Sequence, residues 1–94
     1  MVQAKHGFKL RALGNEFILV GESIEQINFN KMLTMNDTAA YLWRQVTEAE
    51  NYPSFDAQYL ADKLCQEYEV SKEQALADSE ATMQSWIDAG IVEP

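Results

Sequence analysis

The stretch NKMLTMNDTAAYLW, residues 30–43, changes its hydrophobic period partway along. Over residues 31–35 it reads as a short strand. From Asn36 onward, Ala39, Leu42, Trp43 and Val46 recur at the 3.6-residue spacing of one buried helical face. No loop separates the halves, and Asn36 or Asp37 is placed to cap the helix directly. A strand that runs straight into a capped helix is fixed at one end, and the flanking sequence says what surrounds it.

Upstream, Phe8, Leu10 and Ala12 alternate with Lys9 and Arg11, which predicts a half-exposed first strand. Leu13-Gly14-Asn15-Glu16 is a turn signal, with Gly-Asn suited to positive φ. Phe17-Ile18-Leu19-Val20 is a second strand expected to pair with the first. Gly21-Glu22-Ser23 breaks it, residues 24–30 are ambiguous, and 31–35 form the third strand. Residues 1–7 are expected to be frayed. Downstream the pattern is helical. A first helix runs from about 37 to between 46 and 48, and EAENYPS, with Pro53, interrupts it. The second starts near Phe55 or Asp56, with Ser54 or Asp56 as cap, and buries Leu60, Leu64 and Tyr68. Ser71-Lys72-Glu73-Gln74 predicts a reciprocal capping box. The third helix then runs to about Asp88 with Leu76, Met83 and Ile87 as its core stripe. Ala89-Gly90 supplies a left-handed stop, with Ile91 and Val92 packing beneath. Three antiparallel strands followed by three helices, the last two joined by a tight turn, give an α+β fold of winged helix-turn-helix type in a single domain.

With 94 residues the chain supports one modest core, and its hydrophobic content of 47% is ordinary for a globular protein. No apolar run approaches the roughly 18 to 20 residues needed to cross a bilayer, and the N-terminus lacks the apolar segment of a secretory signal. The cytoplasm is therefore the expected compartment. The single cysteine, Cys65, reads as a small buried hydrophobe on a helix.

Catalytic chemistry finds little support. His6 is the only histidine and is expected to be exposed. It lies far in sequence from Cys65, so no zinc motif or Cys/His nucleophile pair is assembled. The four glycines are scattered rather than gathered into a phosphate loop. Acid pairs such as Glu67 with Glu69 lie in polar surroundings and read as solvated surface. The chain is expected to be no enzyme and to need no cofactor or metal.

A helix-turn-helix invites a DNA-binding reading, with the second helix of the pair entering the major groove. Charge opposes it. Residues 1–35 hold four cations against three carboxylates, whereas residues 36–94 hold three against twelve. The third helix sets Lys72 against Glu73, Asp78, Glu80 and Asp88, so phosphates would be repelled. No nucleic acid and no membrane is expected as a partner, and the helix-turn-helix is read as a scaffold for other binding.

In four stretches the sequence resembles the PqqD-like domains, also called RiPP recognition elements: FKLRALGNEFILV, LTMNDTAAYLW, LADKLCQEYEVSKEQALADSEATM and WIDAGIVE. The resemblance spans roughly residues 8–92. It implies a peptide chaperone that binds the leader region of a ribosomally made precursor peptide and presents it to a modifying enzyme, such as a radical SAM maturase. The implied mode is β-addition to the third strand, at Lys31, Met32, Leu33, Thr34 and Met35, whose open edge offers backbone N–H and C=O groups to a guest. Ala75, Ser79, Thr82 and Trp86, lying beside the third helix's core stripe, together with Met83, are the expected groove wall. The alternative is that these residues pack against the sheet or the end of the second helix. An open edge also admits a homodimer through the third strand. A winged-helix protein-interaction or transcription-regulatory module is the other functional class in view.

Overall fold

The computed structural model describes residues 1–21, 33–48 and 52–93. Along the chain come β1 (Gln3–Ala4), β2 (Phe8–Leu13), β3 (Glu16–Gly21), β4 (Leu33–Met35), α1 (Asp37–Thr47), α2 (Ala57–Glu67), α3 (Lys72–Ala89) and β5 (Val92–Glu93). The α+β class is as the sequence predicts, an antiparallel sheet followed by three helices. The ambiguous segment 24–30, Lys31 and Met32 lie outside the described residues.

The three-stranded sheet has the order β2-β3-β4 and is antiparallel throughout. Its hairpin turns on Gly14 and Asn15, and of the two only Gly14 takes a positive φ, +62°. Glycine at the first central position alone is the requirement of a type II′ turn, whose twist matches that of the strands it joins. Phe17 and Leu19 share one face with their partners Met35 and Leu33. On that face Leu19 and Met35 are buried, which sets the sheet against the helices.

α1 begins where the period changes. Asn36 is its N-cap, and its side-chain oxygen accepts from the Ala39 N–H at 2.8 Å and the Thr38 hydroxyl at 2.9 Å. Ala40, Leu42, Trp43 and Val46 are its buried face, and Ala39 is half-buried. Asp56 caps α2 through the Tyr59 N–H. Ser71 caps α3 through the Gln74 N–H at 3.1 Å. The second half of the expected capping box is replaced: the Gln74 amide reaches forward to Asp78 at 2.8 Å, one turn along the helix. Gly90 closes α3 in the left-handed conformation, its N–H returning to the carbonyls of Ile87 and Trp86.

Three further sequence expectations are corrected. The N-terminal segment is held rather than frayed: β1 pairs antiparallel with β5, Gln3 opposite Glu93 and Ala4 opposite Val92. Val2 and Phe55 exchange two backbone hydrogen bonds. His6 stacks on Tyr52 with centroids 3.8 Å apart, while the Gln3 side-chain amide donates to the Tyr52 carbonyl. Those contacts steady Tyr52 at φ +34°, a conformation that L-residues adopt at a cost of about 1–2 kcal/mol. Cys65 is exposed, because the inward face of α2 is carried by Leu60, Ala61 and Leu64. Its thiol lies 3.8 Å from the Val70 carbonyl.

The third correction is the rotation of α3. Its buried residues are Ala75, Ser79 and Trp86, whereas Leu76 and Met83 are half-buried and Ile87 is 41% exposed. α2 and α3 pack closely as a helical hairpin. Helix pairs approach to the shorter end of their distance range only where the side chains between them are small. Ala75 and Ser79 fill that seam, and Trp86 enters the core one turn before the helix ends. There it meets Trp43 and Phe55 edge to face, with centroids 5.2 Å and 6.0 Å away. Such aromatic pairs contribute about 0.5–1.5 kcal/mol beyond their buried area.

Candidate functional site

The geometry of β4 follows from the hairpin. Leu13 and Glu16 close a two-residue turn and therefore exchange both of their backbone hydrogen bonds. Alternation along β3 then turns Ile18 toward β2, and Phe17 and Leu19 toward β4. Leu33 and Met35 bond back to β3, and Thr34 points its N–H and C=O the other way. Among the described residues no strand lies on that side of β4. The outward peptide groups belong to a residue whose side chain is also exposed.

Beside this edge lies a groove of about 270 Å³, lined by Leu33, Thr34, Met35 and Asn36 on the strand side. Ala39 of α1 and Ala81, Thr82, Ser85 and Trp86 of α3 complete it. It continues through Asn36, Ala81 and Thr82 into a cavity of about 390 Å³, whose other walls are Thr38, Leu42, Leu64, Tyr68, Val70 and Asp78. Through Thr34, Met35 and Asn36 it also meets a smaller recess of about 230 Å³, formed by these with Asn15, Glu16 and Asp37. The result is a channel alongside β4 with an apolar floor and polar rims. Its alanine and serine lining leaves room for side chains brought in by a guest.

The structure thus brings together Leu33, Thr34, Met35, Thr82 and Trp86 from the sequence-predicted set. Ala75 and Ser79 are fully buried away from the groove, and Met83 is half-buried without lining it. Lys31 and Met32 lie outside the described residues. Asn36, Ala39, Ala81 and Ser85 escaped sequence reasoning, although Ser85 follows from Thr82, and Ala81 from Ser85, at helical spacing once α3 is correctly rotated.

The described lining of the groove carries no charged side chain. Among the described residues no cluster of three His, Cys, Asp or Glu side chains could hold a metal ion. Outside the groove, burial and neighbouring groups perturb a tyrosine of α1. Tyr41 has its pKa raised, first by burial and then by the nearby Glu67 and the phenols of Tyr68 and Tyr59. Its hydroxyl donates to the Lys63 carbonyl at 3.1 Å, which fastens α1 to α2. Among the described residues no helix is long and apolar enough to cross a membrane.

Two solved structures share this fold. TbiB1 in complex with the TbiA(β) leader peptide matches with a TM-score of 0.71 at 12% identity, covering 97% of this chain and 94% of that one. A lasso peptide synthetase B1 complexed with the leader peptide matches with a TM-score of 0.70 at 19% identity, covering 99% and 98%. No curated protein sequence matches the chain. The model of the family described as coenzyme PQQ synthesis protein D (PqqD) matches residues 16–92, from the start of β3 to the first residue of β5, and the chain belongs to that family.

Proposed function

We propose that this chain is a non-catalytic adaptor that binds the leader segment of a ribosomally made precursor peptide. The leader adds as a strand to the open edge of β4, its side chains enter the groove against α3, and the complex is presented to a modifying enzyme such as a radical SAM maturase. The observation that carries this reading is Thr34, whose peptide N–H and C=O face an open edge directly beside a groove lined by small residues. Support comes also from the two structural neighbours, both complexed with leader peptides.

The test is titration of the isotope-labelled protein with the leader segment of a precursor peptide encoded beside its gene. The Thr34 amide should shift most, followed by those of Ala81, Thr82 and Ser85. Thr82→Arg should abolish the response while leaving the spectrum of the free protein otherwise unchanged. Shifts confined to other surfaces would refute the edge as the docking site.

The same open edge would accept β4 of a second copy, giving a dimer that competes with peptide. Sedimentation over a wide concentration range tests it, and a strict monomer removes it. DNA is not expected as a ligand: α3 carries Glu73, Asp78, Glu80 and Asp88 against Lys72 alone. Sequence-selective binding of duplex DNA at physiological salt, read by anisotropy, would reverse that expectation.

A further inference from the structure

Charge along the channel is one-sided. Its groove holds no charged side chain among the described lining residues, whereas the adjoining cavity holds Asp78 and the adjoining recess holds Glu16 and Asp37. Among the described residues no Lys or Arg lines any of the three. The larger cavity is also deep enough to bury a side-chain stem, its walls including Leu42, Leu64 and Val70, with Tyr68 and the hydroxyl of Thr38 beside them. Asp78 already accepts one hydrogen bond, from the Gln74 amide at 2.8 Å, and a carboxylate has several further acceptor sites.

The strand geometry fixes how a guest samples these walls. A residue paired with Thr34 carries its side chain on Thr34's own face, so its two neighbours project toward the face of Leu33 and Met35. Those neighbours are two residues apart, about 7 Å along an extended chain. One comes beside Leu33, over the uncharged groove floored by Trp86. The other comes beside Met35 and Asn36, where the groove opens into the cavity holding Asp78.

We propose that this channel selects peptides with an apolar residue and a basic residue, Lys or Arg, two positions apart. The apolar side chain fills the groove between β4 and α3. The basic one lays its methylene stem along Leu42, Leu64 and Val70 and brings its cation to Asp78. Long cationic side chains divide themselves in this way between apolar walls and a charged tip. The inference deepens the proposed function and rests on strand addition at β4; it assigns the chemistry of two guest positions within that mode.

The test is selection from a display library of random twelve-residue peptides against the intact protein, repeated with Asp78→Lys. Asp78 is exposed on α3, so the variant keeps the core untouched. The wild-type protein should enrich an apolar residue with Lys or Arg two positions away, and Asp78→Lys should exchange that basic residue for Asp or Glu. For one enriched peptide, replacing the basic residue with norleucine should weaken binding about two- to fivefold in the wild type, the range of a partly exposed ion pair. With Asp78→Asn the same replacement should change nothing. Enriched peptides that shift the Thr34 amide but carry no basic preference, or keep it with Asp78→Lys, overturn this inference and leave strand addition standing. Peptides that bind without touching Thr34, or a library that yields none, overturn both.

Discussion

Trp43 of α1 and Trp86 of α3 meet edge to face, ring centroids 5.2 Å apart and planes at 84°. Both are almost wholly buried, yet Trp86 also forms part of the groove floor. The core and the candidate binding channel therefore share a side chain. Trp86→Ala should cost about 3–5 kcal/mol, a large part of the stability of a domain this size. Urea denaturation would show it as a lower midpoint. Trp86→Phe keeps an aromatic edge and should lose distinctly less.

Ser79 is completely buried, and its Oγ has no hydrogen-bond partner among the described residues. A buried hydroxyl left unpaired costs about 1–3 kcal/mol relative to an apolar group. Ser79→Ala should accordingly raise stability by up to about 1 kcal/mol, since the loss of the oxygen also leaves a small void. A charged residue at the same place should prevent folding. A thermal melt of Ser79→Ala below that of the parent would contradict this.

Proline scanning of β4 separates its two edges. Thr34→Pro removes an N–H that faces the open side, so the ladder to β3 survives and guest binding suffers. Leu33→Pro removes a ladder bond to Leu19 and should destabilise the fold itself. Circular dichroism together with peptide affinity distinguishes the two, and equal loss of fold in both variants would show that the edges are not divided in this way.

The raised pKa of Tyr41 makes stability depend on alkaline pH. The phenol binds its proton more tightly in the folded state than in the unfolded one, whose value is the ordinary 10.0. Its contribution is complete below pH 10 and is lost as pH rises above that value toward the folded pKa. Stability of the parent should therefore fall more steeply above pH 10 than that of Tyr41→Phe. The variant itself should lose about 1 kcal/mol at neutral pH, the usual contribution of one hydrogen bond, here to Lys63. Parallel urea titrations at pH 8 and about pH 11, beyond the ordinary phenol value, supply the comparison.

Much of this was legible where the signal is local. The hairpin at Gly14-Asn15, the start of α1 at Asn36, the Ser71 cap and the Gly90 stop each depend on a few adjacent residues and were read correctly. The rotation of α3 was not, for a physical reason. Leu76, Met83 and Ile87 are its bulky aliphatics and read as the core, but the seam with α2 is too close for them and takes Ala75 and Ser79. That choice is made by the neighbouring helix, which the sequence of α3 does not contain. The same holds for β1, whose two residues have no periodicity to read and owe their structure to Val92 and Glu93 at the far end of the chain. At the groove, the strand and Thr82 could be found because they adjoin recognisable elements. Asn36, an obvious helix cap, gave no sign that it would also line the groove and both recesses that open from it.

The pairing of β1 with β5 has a mechanical consequence. Gln3 lies opposite Glu93, so the outer ends of the two strands leave their ladder side by side and in the same direction. Tension applied through those ends would load the ladder one residue pair at a time, as a zipper is opened, rather than shearing all its bonds together. On the N-terminal side the backbone bonds between Val2 and Phe55 would take the load first; Gln3 would then part from Glu93 and Ala4 from Val92, after which the load would reach the bond from the Lys5 N–H to the Ile91 carbonyl and the Gly90 stop of α3. Stretched between two handles, the protein should yield in a small early step at low force while β2, β3 and β4 keep their pairing.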